Sequence, residues 1–525
     1  MKIRTPLTLI VCLFTLVSLS SCDSGNDGLL TENNPNELST ATFYENQTQI
    51  EAAVNAVYAN LQSVGLYARM YFYHHDIMSN EAEALGSLEA NKMFFHNYDA
   101  NAANGQLTRY WDAYYRGIKR ANLAIQNIPP SEAPGVSEDQ KNRYVAEARF
   151  LRAWYYYELV MHWGPVPLYT EPATQENIEG VPRASQEEIF QVILDDLSFA
   201  QSNLPLKSEY SGPNVGRATA GAATALKGFV HLYRSSRLDG VTEWSQAETE
   251  LEKFTGGGTY ASEYSLVESY FDNFKEETEN NAESIFEVQI NPSGSANWSE
   301  GATGVHEETF RGQEWGFNAW RNTIPSQQLL EEEYSQTDPR RDMNTLEDGE
   351  LYNNDQDTVD VADGFTNWRK YQNYYKMATE PPNNSGINFR VIRLAEVFLA
   401  LADAKIELGQ NSQAIDLMNR VRNRPGVNMP EYPTSEYPAG NKQQLLDALY
   451  HEVALELAGE QVLLHWQLRR PEYLEEWATE APEYRPGEGE ADFAFSLPKS
   501  LRLPIPQREI DTNNSLDSGA QNPGY

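Results

Sequence analysis

Residues 146–168 read AEARFLRAWYYYELVMHWGPVPL, with an aromatic side chain at every position from Trp154 to Tyr157 and Trp163 close behind. Successive residues on a helix are turned by about 100°, so four neighbouring rings cannot share one face. Phe150, Ala153, Tyr157, Val160 and Met161 make one apolar stripe at helical spacing. Arg152, Tyr156, Leu159 and Trp163 make a second, nearly opposite. A helix that is apolar on two faces must be sandwiched between other helices. Gly164-Pro165-Val166-Pro167 ends it, because Pro165 disfavours helix at Gly164 and has no N–H to donate. The rings are therefore predicted to be core rather than a platform for a ligand.

The chain of 525 residues can bury a large core, and 11% of it is aromatic. Asp and Glu number 76 against 40 Lys and Arg, a formal charge of −36. Such a surface repels nucleic-acid phosphates and anionic lipid headgroups. The first residues, MKIRTPLTLIVCLFTLVSLSSC, carry a basic start and an apolar run from Leu7 to Leu19 that is short for a spanning helix. Residues 1–21 are read as a secretory signal. Leu19-Ser20-Ser21-Cys22 resembles the lipobox of bacterial lipoproteins, which implies lipid attachment at Cys22 after cleavage. Cys22 would then be the only cysteine remaining, with no partner for a disulfide. Residues 22–40, polar and rich in turn formers, are read as a tether.

From residue 41 onward, helical patterns recur in pairs. They fall at 47–62, 108–128, 138–163, 185–205, 219–236, 243–254, 389–409, 412–424 and 442–468. Ser185 with Glu188 makes a capping box, Gly409 suits a helix C-terminus and Asn411 the next cap. Small residues, among them Ala146, Ala148, Gly221 to Ala223, Ala225, Ala395, Ala400, Ala402 and Ala404, allow close helix approach. Such pairs resemble tetratricopeptide-type units that stack into a solenoid. The expected fold is mostly α: a single domain over 41–525 with a helix-pair solenoid scaffold at about 41–62, 106–256, 388–424 and 442–468. Long irregular insertions occupy about 63–105, 257–387, 425–441 and 469–525. One strand is expected at 284–290. Loops of that length are usually functional or disordered, and their aromatic content argues against disorder.

Several segments carry a family resemblance in order along the chain: the opening stretch, RASQEEIFQVILDDLSFAQSNLP, GRATAGAATALKGFVHLY, IRLAEVFLALADAKIELG, LMNRVRNRPGV and the terminal LPIPQREIDTNNSLDSGAQNPGY. Together they resemble the SusD/RagB family of outer-membrane lipoproteins. The segment LYHEVALELAGEQVLLHWQLRR departs from the family's more basic pattern but keeps Glu452, Glu456 and Glu460. The resemblance implies a non-catalytic cell-surface protein, lipid-anchored in the outer membrane and facing outward. It would capture an oligosaccharide, or in some branches an oligopeptide, and pass it to a SusC-like TonB-dependent transporter. No cofactor and no nucleic-acid partner are implied, and the ligand site is expected in the insertions.

Sugars offer C–H faces to flat rings and hydroxyl edges to Asn, Asp, Gln and Arg. Residues 291–322 have that composition, making Trp298, Trp315, Trp320 and Arg321 candidates. The first insertion adds Asn80, Phe94, Phe95, Asn97 and Tyr98. Arg311, Arg321, Arg340 and Arg341 could favour an acidic sugar. Neighbouring carboxylates such as Glu307-Glu308 and Glu331 to Glu333 do not supply the fixed cross-cleft pair that glycoside hydrolysis needs. His74-His75 lacks the i, i+4 spacing of a helical zinc pair. The acidic run 355–364 offers Asp355, Asp357 and Asp360 to calcium but has no glycine at its sixth position.

Overall fold

The central helix forms as its periodicity predicts, Glu138–Trp163, and every residue from Phe150 to Trp163 is buried. The computed structural model describes residues 43–525 apart from 86–87, 175–176, 178, 292–308, 336, 362–363, 380–384, 485–492 and 518, and leaves out the side chains of 481–484. The signal, Cys22 and the tether lie outside the described residues. In chain order the principal helices are α1 (Gln47–Ala59), α2 (Met70–Ile77), α3 (Gly105–Asn127), α4 (Glu138–Trp163), α5 (Gln186–Asn203), α6 (Ala220–Arg237) and α7 (Trp244–Leu251). After a long insertion come α8 (Leu394–Glu407), α9 (Asn411–Arg422), α10 (Lys442–Leu457), α11 (Leu463–Arg469) and α12 (Pro471–Tyr484). Among the described residues no helix is long and apolar enough to cross a membrane.

Two-sided burial of α4 has visible partners. Trp163 meets Trp111 of α3 at 5.3 Å between ring centroids, and Tyr157 meets Tyr233 of α6 at 6.4 Å. Arg152 grips Asp196 of α5 through two bonds of 2.7 and 2.8 Å. Ser137 and Ser185 both close capping boxes at the starts of α4 and α5. Each helix from α3 to α9 packs on its sequence neighbour, and α8 packs on α7 although 142 residues (252–393) separate them. The insertion between them is closed by an antiparallel strand pair: β2 (Ser284–Val288) and β4 (Phe389–Arg393) set Phe389 opposite Val288 and Arg393 opposite Ser284. Both strands are buried throughout, so the insertion leaves and rejoins the scaffold at one place. Close helix approach is also as expected: a Cβ on Gly228 of α6 would stand 2.4 Å from Leu251 of α7.

Several expectations are corrected. Residues 389–393 extend as β4 instead of opening a helix, because they pair with β2. Asn411 is the first residue of α9 and not its cap. The apolar pattern of 442–468 is two helices, broken where Gly459 and Gln461 take φ of +75° and +61°. The break is held from outside: Gly459 N–H donates to Glu81 at 3.0 Å and Gln461 Nε2 to Asp76 at 2.6 Å. A Cβ at Gly459 would lie 2.9 Å from the Trp368 ring. The insertions also contain regular elements that the sequence reading treated as irregular, notably α2 and α12.

Beneath the second insertion lies a buried network of charges. Arg393 reaches Glu283 and Glu456 at 2.7 Å each and clasps Glu460 through two bonds of 2.7 Å. Arg424 binds Glu283 at 2.9 Å and also Glu456. Arg340 binds Asp338 at 2.8 Å, Glu452 at 2.6 Å and Glu456 at 3.0 Å; Arg422 binds Glu452 at 2.8 Å. Lys370 binds Glu460 at 2.8 Å. Five cations thus meet five carboxylates, all buried. Burial opposes ionisation of Glu456, yet Arg424, Arg393 and Arg340 hold its carboxyl down at about 2.

Glu456→Gln should therefore cost about 3–5 kcal/mol in urea denaturation, since three guanidinium groups lose a buried counter-charge. Arg508→Ala, which breaks an exposed pair with Asp112, should change stability by no more than about 0.5 kcal/mol. Because the folded Glu456 carboxyl sits below its ordinary 4.5, its stabilisation is complete above that value and is lost as pH falls toward about 2. The wild-type stability curve should drop across that window more steeply than the curve of Glu456→Gln.

Candidate functional site

The first and second insertions meet in a short antiparallel ladder. β1 (Ala82–Ala84) of the first pairs with β3 (Thr323–Pro325) of the second, placing Glu83 opposite Ile324. Leu85 N–H to Asn322 O at 2.9 Å and Ser326 N–H to Glu81 O at 3.0 Å extend the contact. Just before β3, the chain forms a short helix, Arg311–Trp315, and a corner over 316–322 at which Asn318 and Trp320 are exposed.

This corner separates two tryptophans only five positions apart. On the short helix, Arg311 and Trp315 share a face at i, i+4 and turn inward. Trp315 is fully buried, stacked 5.8 Å from Trp368 and edge-on to Phe72 at 5.6 Å. The Arg311 guanidinium lies over Tyr371, Trp315 and Phe389 at 4.2, 4.5 and 4.9 Å, and burial lowers its pKa to about 10. Gly316 then turns the chain. Trp320 N–H caps back on Gln313 O at 3.0 Å, and Arg321 takes a left-handed φ of +51° that redirects the backbone into β3. Trp320 is left at the outside of the turn, 47% exposed.

Beside it, the same loop builds an aromatic cluster. Phe317 lies 4.7 Å from Tyr374 and 5.3 Å from Tyr352, and the two tyrosines are 5.7 Å apart. Asn318 ties the cluster together: it accepts from the Tyr374 hydroxyl at 2.8 Å and donates to Ala378 O at 2.9 Å. Tyr352 donates to that same carbonyl at 3.3 Å. Phe317 and Tyr352 are half-buried, and Met377 next to the cluster is exposed. Chemically, the corner offers apolar faces edged by amide and hydroxyl groups, which suits a polyol better than a strongly charged ligand.

The other candidates are distributed differently. Phe94 and Phe95 are buried and packed 4.0 Å apart. Tyr98 is buried edge-on to Phe493 and Phe495 and donates to Met78 O. Asn80 is buried and accepts from Gln467 Nε2 at 2.9 Å. Half-buried Asn97 accepts the Ala494 N–H at 2.8 Å through its backbone. These side chains and Trp315 are corrected to packing positions as they stand; none but Asn97 has an appreciable exposed face. Arg321 is half-buried, donating to Asn367 at 2.5 Å and Phe365 O at 3.2 Å. Arg340 belongs to the buried ion network, Arg311 to the aromatic core, and Arg341 binds Glu347 at 2.7 Å, so the arginines do not converge on an acidic ligand. Trp298, Glu307 and Glu308 lie outside the described residues. Gln328 Nε2 donates to Glu332 and to Glu480 at 3.0 Å each, and Glu333 contacts His451 at 2.6 Å.

The calcium candidate is also corrected. Asp357 sits in a two-stranded hairpin with Leu351–Tyr352 and is bound by Asn353 at 2.6 Å, while Asp355 and Asp360 are exposed. Among the described residues these three do not gather their oxygens into one ligand set. Phe317, Asn318, Tyr352, Tyr374 and Met377 were missed by sequence reasoning. The signal available was the run GFNAW at 316–320, with rings and an amide on a loop, but its partners at 352 and 374 are distant in sequence.

A helix-repeat scaffold whose first two insertions converge on an aromatic corner defines a mostly helical body with a solvent-facing aromatic loop. This chain belongs to the SusD family: residues 282–525 match the SusD family, and residues 30–232 match a family described as starch-binding, associating with the outer membrane. A SusD-like protein of Formosa agariphila is 26% identical, with 100% of both chains covered. Another, from Bacteroides ovatus, is 28% identical over 82% of this chain and 78% of its own. A SusD homologue of Bacteroides thetaiotaomicron has the same fold, with a TM-score of 0.78 at 20% identity, covering 93% of this chain and 98% of that one. A laminarin-binding SusD-like protein has a TM-score of 0.72 at 25% identity, covering 92% and 100%.

The two neighbouring tryptophans should separate in a stability assay. Trp315→Ala should cost about 3–5 kcal/mol in urea denaturation, as for a large buried ring. Trp320→Ala should stay within about 0.5 kcal/mol of wild type.

Proposed function

We propose that this chain is a non-catalytic nutrient-binding lipoprotein of the outer membrane, anchored through Cys22. It captures an oligosaccharide at the Trp320 corner and delivers it to a SusC-like TonB-dependent transporter. The observation that carries the ligand part is Trp320: among the described residues it is the large aromatic side chain left most exposed, on a loop braced by Phe317, Tyr352 and Tyr374. A ring held out rigidly pays little ordering entropy when a sugar stacks on it. Membership of a family described as starch-binding, and a laminarin-binding relative of the same fold, support a glycan as ligand. The family description supports outer-membrane association. The helical scaffold supplies a broad rigid face for a transporter, for which a stable interface needs about 1,000 Å² or more.

Calorimetry with laminarin and starch oligosaccharides tests the site. Trp320→Ala should weaken binding of whichever glycan binds by about tenfold, the order of one stacking interaction. Unchanged affinity would move the site elsewhere, and binding of peptides in place of glycans would change the ligand class. The bound glycan should be recovered intact after long incubation. Cys22→Ser should leave precursor or release soluble protein. A variant that matures and stays in the membrane fraction would remove the anchor from the reading. The transporter should co-purify from native membranes with both wild type and Trp320→Ala; its absence from both would remove the delivery role.

A further inference from the structure

Away from the Trp320 corner, three histidines and a glutamate converge inside the scaffold. His75 comes from α2, Glu158 and His162 from successive turns of α4, and His465 from α11. All four are buried, and their ligand atoms lie within 4.8 Å of one another. His162 Nε2 and His75 Nε2 stand 3.2 and 3.5 Å from Glu158 Oε2, and His465 Nε2 stands 3.3 Å from Oε1.

These separations are long for charge-assisted hydrogen bonds, which close to about 2.7–2.9 Å. They are close to the edge of a tetrahedron of ligands around zinc, where bonds of about 2.0–2.1 Å place neighbouring ligand atoms about 3.3–3.4 Å apart, and a small inward shift of the set, now within 4.8 Å, would close it on an ion. Hydrogen bonding by itself satisfies the cluster poorly. Tyr71 and Tyr114 also point their hydroxyls at Glu158, at 3.3 and 3.4 Å, so five groups crowd a carboxylate with about four lone-pair sites. The His465 Nε2, aimed at this centre and buried, makes no hydrogen bond, and His75 Nε2 has beside Glu158 only a long contact with the Tyr110 hydroxyl at 3.4 Å. Unpartnered buried imidazole nitrogens are costly unless something else takes their lone pairs.

We propose that His75, Glu158, His162 and His465 bind a structural divalent transition-metal ion, with zinc the best match to three imidazoles and one carboxylate. The Glu158 and His162 pair has the i, i+4 spacing that puts two ligands on one helical face. Four protein ligands and complete burial leave no open position for a substrate, so the ion acts as a staple. It joins α2 of the first insertion and α11 near the C-terminal part to the central helix α4. Tyr71 donates to Glu158 Oε1 and Tyr114 to Oε2, so whichever oxygen does not bind the ion keeps one tyrosine hydroxyl.

The full-length protein, carrying an affinity tag without histidine and expressed with zinc supplied, provides the test. Elemental analysis should find about one zinc per chain after dialysis against a mild chelator. His162→Gln and His465→Gln should each lower that to below about a tenth. Wild type stripped of metal should melt several degrees lower and recover when zinc is returned. Should the variants fail to fold, cobalt(II) added to stripped wild type still decides, since a tetrahedral site gives strong visible absorption. Wild type without zinc, without recovery on adding it and without the cobalt spectrum would overturn the proposal and leave a hydrogen-bonded histidine–carboxylate cluster. Zinc retained by both folded variants would equally overturn this assignment of ligands.

Discussion

Arg393 is the side chain on which the two halves of this architecture meet. It stands at the junction of β4 and α8, where the long insertion returns to the solenoid, and it is fully buried. A guanidinium in that position is tolerable only with counter-charges and a satisfied hydrogen-bonding fork. Glu283 comes from the departing edge of the same insertion, and Glu456 and Glu460 come from the end of α10 and the break beyond it. The network through Arg340, Arg422, Arg424 and Lys370 then ties the body of the insertion to α9 and α10. Such a network is a weak source of net stability but a strict specification of geometry, because a shifted partner leaves a charge uncompensated.

That geometry matters for the surface it supports. The Trp320 corner leads into β3, which is paired to β1 of the first insertion, and its base rests on Trp315, Trp368 and Arg311. Two insertions remote in sequence thus share one foundation. Aromatic residues divide into a buried set that fixes the loop and a small exposed set that it presents. The second set can act in recognition because the first set removes the loop's freedom beforehand.

Helices were legible where two-sided or one-sided apolar periodicity and local caps agreed, as in α4 with Ser137 and α5 with Ser185. Legibility failed where a partner from elsewhere overrode the local pattern. FRVIR continues the apolar run of α8 yet extends, because β2 offers it a ladder. The 442–468 pattern runs on through Gly459, yet the chain breaks there to meet Glu81, Asp76 and Trp368. Among site candidates, composition singled out residues 315–321 but could not tell Trp315 from Trp320.

By itself, then, the sequence determined the helical scaffold, the acidic surface, the boundaries of most scaffold helices and the family, because each rests on spacing, capping or composition within a short window. It also displayed Glu158 and His162 at helical spacing. Tertiary structure alone decided that His75 and His465 join them, that Arg340 and Arg311 are core, and that Phe317, Tyr352 and Tyr374 form one cluster. The physical reason is common to all three. Burial and the meeting of charges depend on which distant segments pack together, and residues separated by long stretches of chain carry no local mark of their neighbours.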